Sequence, residues 1–295
     1  VNPQMKTLNL LIAALVLAAP LGAQGPPPPD GAGVVDTPQR QAQALDRAGK
    51  GAEARVIWQR LIDNAADPAA KAAAQRRMAM SWGFEGNCDN VVKYEEMVIA
   101  YWVTREKEEP QNAFYQQGEM ANEAARVCID AGDLNTAERM YRRGAELGNR
   151  EPEPRTHPRS LWDYRTAHAQ ARLAARRGNT AEALKQVALA RKALDSDTAM
   201  ARPQERFFPY LVGYVALYTG DLKTAEAEFT RAVAMRGNED DPYQHYLLAL
   251  TYEKLGQDQK AKELYQKAYD FADSHNPPTV FTRPAARKKL EGSKP

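Results

Sequence analysis

The feature that most restricts this chain of 295 residues is a spacing that recurs. From Tyr210 onward stand Gly213, Ala216, Gly220, Leu222, Ala225, Phe229 and Ala232; about 36 residues later the same offsets place Ala249, Tyr252, Gly256, Asp258, Ala261, Tyr265 and Ala268. A period of roughly 20–50 residues marks stacked units that share one interior, because a lone two-helix unit cannot bury its own apolar face. The residue types say how each unit is built. Gly213 with Ala225, and Ala249 with Ala261, are small enough for two antiparallel helices to cross closely. Gly220 and Gly256 end the first helix, where a positive φ costs glycine nothing. Phe229 and Tyr265 fill the wedge between units. Alanine is abundant along the whole chain and clusters of Val, Ile and Thr are scarce, so the units read as helical.

This pattern of small, glycine and aromatic positions resembles the tetratricopeptide repeat. Upstream, Ala125, Gly132, Leu134, Ala137, Tyr141 and Gly144 form another copy, and Ala171, Gly178, Ala183 and Ala190 form one with Val187 in place of the ring. Ala42, Gly49, Ala54 and Trp58 make a first copy, and Ala79, Trp82 and Gly86 a poorer one in which Tyr94 falls about one place early for the aromatic. The resemblance implies an all-α fold, an α-solenoid in which about six antiparallel helix hairpins wind into a right-handed superhelix over residues 38–273. Two inserts, Gly148 to Ser160 and Ser196 to Pro203, carry prolines and charges and read as surface loops. Residues 274–295 are expected to form a loop and a short capping helix over the last hairpin, with Pro284 at its first position.

The start of the chain reads as an address and not as structure. Met5 and Lys6 precede an apolar run from Leu8 to Ala19, with small residues at Gly22 and Ala23, so residues 1–23 are expected to be a secretory signal peptide. Residues 24–37, with Pro26 to Pro29, form a proline-rich linker. The apolar run falls short of the roughly 20 residues a spanning helix needs, so no membrane span is expected in the mature chain, which is placed in the periplasm or outside the cell. Disulfides persist there. In the repeat register, Cys88 lies just past the turn of the second hairpin and Cys128 near the end of the first helix of the third. Both sit on one edge of the solenoid, so a bridge between them is geometrically reasonable; the alternative is two small buried apolar side chains.

Nothing in the sequence reads as an active site, a metal centre or a cofactor pocket. His157, His168, His245 and His275 stand far apart without metal-ligand spacing, and no nucleophile elbow or phosphate loop is present. The paired carboxylates Glu95-Glu96 and Glu108-Glu109 read as solvated charges. A net charge of +2 gives no field to draw in nucleic acid.

In the resembling family the first helix of each hairpin lines a concave groove that holds peptides. That register puts Asn122 and Arg126 of the third hairpin on the groove, then His168, Arg172 and Arg176 of the fourth. The fifth adds Tyr210, Tyr214 and Tyr218, and the sixth Tyr243 and Tyr246, giving a basic half and an aromatic half. An acidic peptide, or one offering a terminal carboxylate with apolar anchors, would suit such a groove. The competing reading is that the tyrosines pack between helices and the arginines pair with carboxylates on solvent faces. The function expected is therefore a non-enzymatic scaffold or adaptor for a protein or peptide partner. The alternatives are a structural subunit of an envelope complex and an enzyme with residues in the inter-repeat loops.

Overall fold

The computed structural model describes residues 37–292. The expected signal peptide and all but the last residue of the expected linker lie outside the described residues. Six helical hairpins follow one another: α1 (Pro38–Arg47) with α2 (Gly51–Asp63), α3 (Pro68–Gly83) with α4 (Cys88–Thr104), and α5 (Pro110–Ala131) with α6 (Leu134–Gly148). Then come α7 (Arg159–Arg176) with α8 (Thr180–Ser196), α10 (Phe208–Thr219) with α11 (Leu222–Val233), and α12 (Pro242–Lys254) with α13 (Asp258–Phe271). A short α9 (Thr198–Gln204) and a 3-10 turn (Glu205–Phe207) stand between the fourth and fifth hairpins, and α14 (Pro277–Gly292) ends the described chain. The fold is an all-α solenoid with no strand among the described residues.

One two-residue device makes most of the hairpins. Gly132 adopts φ 91° and Gly220 φ 93°, the left-handed conformation that stops the first helix. The next residue, Asp133 or Asp221, then turns its carboxylate onto the backbone N–H of Thr136 or Thr224 and starts the second helix. Asn87 after Gly86 and Asn179 after Gly178 do the same. First helices often open on proline, where a missing N–H is harmless: Pro38, Pro68, Pro110 and Pro242. Close crossing is visible at Gly213, where an added Cβ would come within 3.0 Å of the fully buried Phe229 ring. The interior is spread along the array, with Trp58, Met80, Met140, Leu173, Leu211, Phe229 and Leu247 all buried.

Three sequence expectations change. The Gly148 to Ser160 insert has a buried centre: Arg155 donates to the carbonyls of Gly148, Asn149, Glu151 and His157, while Glu151, 3% exposed, accepts from the backbone of Thr156 and His157. Ser196 to Pro203 is largely helical, because Asp197 caps α9 through the N–H of Met200. The last helix begins at Pro277, not at Pro284, since Asn276 accepts from the N–H of Thr279 and Pro277 already supplies a helix-compatible φ.

The last helix packs on α12 and α13, as a cap would, and also on α3 and α5. Val280 fits the notch at Gly83, and Phe281 meets Tyr243 edge-on at 4.4 Å. Arg283 and Arg287 donate to the carbonyls of Arg47 and Ala48 at the end of α1. The final helix thus lies on the first helices of the second, third and sixth hairpins and ties back to the first.

Candidate functional site: an inner wall closed over a cavity

The register that selects groove residues brings six of them to one place. Asn122 and Arg126 (α5), His168 and Arg172 (α7), Tyr210 (α10) and Tyr243 (α12) all line a cavity of about 320 Å³. Pro278 and Phe281 of α14 and Phe207 of the 3-10 turn line it as well. Arg176, Tyr214, Tyr218 and Tyr246 lie beside this cavity and not on it. Arg126, His168, Arg176, Tyr218 and Tyr246 are half-buried; Asn122, Arg172, Tyr210, Tyr214 and Tyr243 are buried.

The basic and aromatic halves interlock. Arg172 donates to the hydroxyls of Tyr210 at 3.2 Å and Tyr141 at 2.6 Å, and Arg176 to Tyr214 at 3.3 Å. The Arg176 guanidinium also lies 4.9 Å over the Tyr218 ring, and the Tyr214 and Tyr218 rings meet at a tilt along α10, 4.6 Å apart. His168 sits on Tyr210 at 5.5 Å, Tyr246 on Tyr265 at 5.6 Å. Arg126 reaches Glu119 at 3.8 Å and donates to the Asn122 carbonyl. Tyr243 donates to Asp130 on α5 at 3.0 Å.

Burial sets the protonation states. Burial, followed by the cations Arg172 and Arg126, holds the His168 imidazole well below its usual range, so it is neutral. Burial acts against the charge on Arg172, yet the surrounding tyrosines outweigh it and raise the guanidinium above its usual value. Burial also pushes Asp130 up to about 6, against the hydrogen bond from Tyr243 and the pull of Arg176 and Arg172.

Several wall residues fall outside the groove projection, Tyr141 among them although it is the repeat aromatic of the third hairpin. Tyr141 comes from a second helix, α6, and Tyr164, Glu119 and Arg165 lie at positions the groove projection passes over. Another misread group is Glu95. It reads as solvated beside Glu96, but it is fully buried on α4 because α4 is packed between α3 and α5. Glu96 faces the other way and pairs with Arg143 at 2.8 Å. Glu95 has no hydrogen-bond partner among the described residues, and burial, with Glu123 nearby, raises its carboxyl well above the usual range. Cys88 and Cys128 are bonded to each other, with Cα atoms 5.0 Å apart.

No three His, Cys, Asp or Glu side chains among the described residues are placed to hold a metal ion, and no described helix is long and apolar enough to cross a membrane. No curated protein matches the chain significantly. Residues 245–275, which cover most of α12 and all of α13, match the family model of the tetratricopeptide repeat, a module of protein–protein interaction. The sixth of the stacked helical hairpins is therefore a tetratricopeptide repeat.

Proposed function

We propose that this chain is a non-catalytic adaptor that holds a partner protein against its inner wall, in the periplasm or outside the cell. The observation that carries this reading is Arg172, a buried guanidinium that faces the wall's cavity and meets only tyrosine hydroxyls. A wall that offers arginine and tyrosine together favours an acidic partner segment with apolar anchors. Half-buried Arg126, His168, Arg176, Tyr218 and Tyr246 are the groups a partner touches first. The bonded cysteine pair supports an oxidising compartment, as does the signal-like start of the sequence.

The test is affinity capture from an envelope extract with the full mature chain and with the double variant Arg126→Glu, Arg176→Glu. Both arginines are partly exposed, so the variant is expected to fold, which circular dichroism checks. Loss of the captured protein supports the wall; undiminished capture rejects it.

A further inference from the structure

Nearly every charged group on the cavity is already answered. Glu119 takes Arg165 at 2.6 Å and Arg126 at 3.8 Å, and Asp241 accepts from the backbone N–H groups of Tyr243 and Gln244 at the start of α12. Arg172 is the exception. It is 6% exposed, it has no carboxylate within ion-pair distance among the described residues, and its Nε–H meets no acceptor. A buried charge without a counter-ion is costly, so the fold keeps it only where something else answers it.

The groups around Arg172 point to what that is. Tyr141 and Tyr210 accept hydrogen bonds from Arg172, and their own hydroxyl hydrogens go to no acceptor among the described residues. The Tyr164 hydroxyl, on a side chain 2% exposed, has no partner there at all. Three hydroxyls and one N–H therefore line one cavity as donors, together with one unanswered positive charge. Neutral donors around a fixed cation suit an acceptor-only group carrying one negative charge. Phe207, Pro278 and Phe281 supply apolar lining to the same cavity. A volume of about 320 Å³ lies at the small end of the roughly 300–1,000 Å³ of small-molecule sites.

We infer that this cavity binds a monocarboxylate with a compact apolar body, its carboxylate on Arg172 and Tyr164 and its body against Phe207 and Phe281. The carboxylate belongs either to a free small acid or to the end of a chain. No partner protein on the wall is needed for the binding of a free acid, so this inference and the adaptor reading fail separately.

The experiment is thermal unfolding and calorimetric titration of the full mature chain with phenylacetate and hexanoate, each beside its amide. Both acids are expected to raise the melting temperature saturably and to bind about tenfold or more tighter than the amides. Tyr164→Phe removes a hydroxyl that holds nothing in the fold, so it is expected to keep the unliganded melting temperature and to weaken acid binding several-fold, about the worth of one hydrogen bond to a charged group. Arg172→Gln, where it folds, is expected to abolish the difference between acid and amide. A third arm compares acetyl-Gly-Gly-Phe with its amide: binding of the peptide acid as tight as phenylacetate assigns the site to a chain end, and failure of the peptide while phenylacetate binds assigns it to a free acid. No saturable response to either acid, equal response to acid and amide, or acid binding untouched in Tyr164→Phe overturns the inference.

Discussion

His275 Nε2 donates to Asp46 Oδ2 at 2.8 Å, joining the segment before the last helix to the first helix across a sequence separation of 229 residues. Asp46 also accepts from Trp58 Nε1 at 2.9 Å and Ser81 Oγ at 2.6 Å, and the His275 ring rests between Trp58 and Phe84. The two ends of the array are therefore fastened by a buried polar cluster, backed by Arg77 on the His275 carbonyl and Arg47 on that of Asp273.

Removing the imidazole is expected to loosen this closure. Burial keeps the His275 imidazole below its usual value, against the upward pull of Asp46, so the ring is neutral in the fold. The unfolded chain takes up the proton below pH about 6.5, and the stability this site contributes is present above that value and lost as pH falls. His275→Ala is expected to cost about 2 kcal/mol at pH 8 and less at pH 5. Melting curves of both proteins over that range check it; a gap that widens in acid contradicts a neutral ring.

Much of the array was legible because its signals are local. A glycine that must turn left-handed, followed by Asp or Asn as a cap, marks four of the six turns in the bare sequence: Gly86-Asn87, Gly132-Asp133, Gly178-Asn179 and Gly220-Asp221. The features that escaped depend on what packs against what. Glu95 and Glu96 look alike as letters, and only the placement of α4 between two helices separates the fully buried one from the half-buried one. Tyr141 reaches Arg172 from 31 residues away on a second helix, which a projection of first helices does not include. The helix at the end of the chain read as a cap because it follows the last hairpin directly; that it also packs on α3 and α5 is a contact between elements far apart in sequence, which no local pattern marks.

Glu95 offers a test of its neutral state. Its carboxyl is raised by burial first and by Glu123 second, so the folded chain holds a proton that the unfolded chain releases above pH about 4.3. Stability at this site is then lost as pH rises through the folded value. Glu95→Gln keeps the shape without the ionisation, and is expected to melt at or above the parent protein at pH 8, with the difference gone at pH 4. A glutamine variant that melts lower at pH 8 would mean an ionised Glu95 paired with Arg76 or Arg126.

Packing at the third-to-fourth hairpin contact is tested at Gly148. A Cβ there would land in the fully buried Trp162 ring, and so would one at Gly118. Gly148→Ala is expected to destabilise by about 1–3 kcal/mol, although alanine is the better helix former. Urea unfolding followed by tryptophan fluorescence reads both the midpoint and the disturbance of Trp162. A midpoint that rises would place the ring elsewhere.

The Cys88–Cys128 bond spans 40 residues and ties the start of α4 to the end of α5. Closing a loop of that length is worth about 4 kcal/mol in the chain-entropy account. The protein, denatured without reductant, is expected to show no free thiol, and the double variant Cys88→Ser, Cys128→Ser to unfold at lower urea. Two titratable thiols would reject the bridge.

Asp130 decides whether the wall's cations have a counter-ion of their own. With its carboxyl pushed up to about 6 by burial, the folded state binds a proton that the unfolded state gives up near pH 3.9, so stability falls as pH rises through about 6. Asp130→Asn leaves an oxygen to accept from Tyr243, now at 3.0 Å from the carboxylate, and removes the buried charge. The variant is expected to gain on the order of 2 kcal/mol at pH 8 and nothing at pH 3.5, measured by urea unfolding at both values. A loss at pH 8 would instead make Asp130 the anion that Arg176 relies on. Because Arg172 also draws on Asp130, that outcome would lower the charge left over for the cavity, and acid binding by Asp130→Asn should then exceed that of the parent protein.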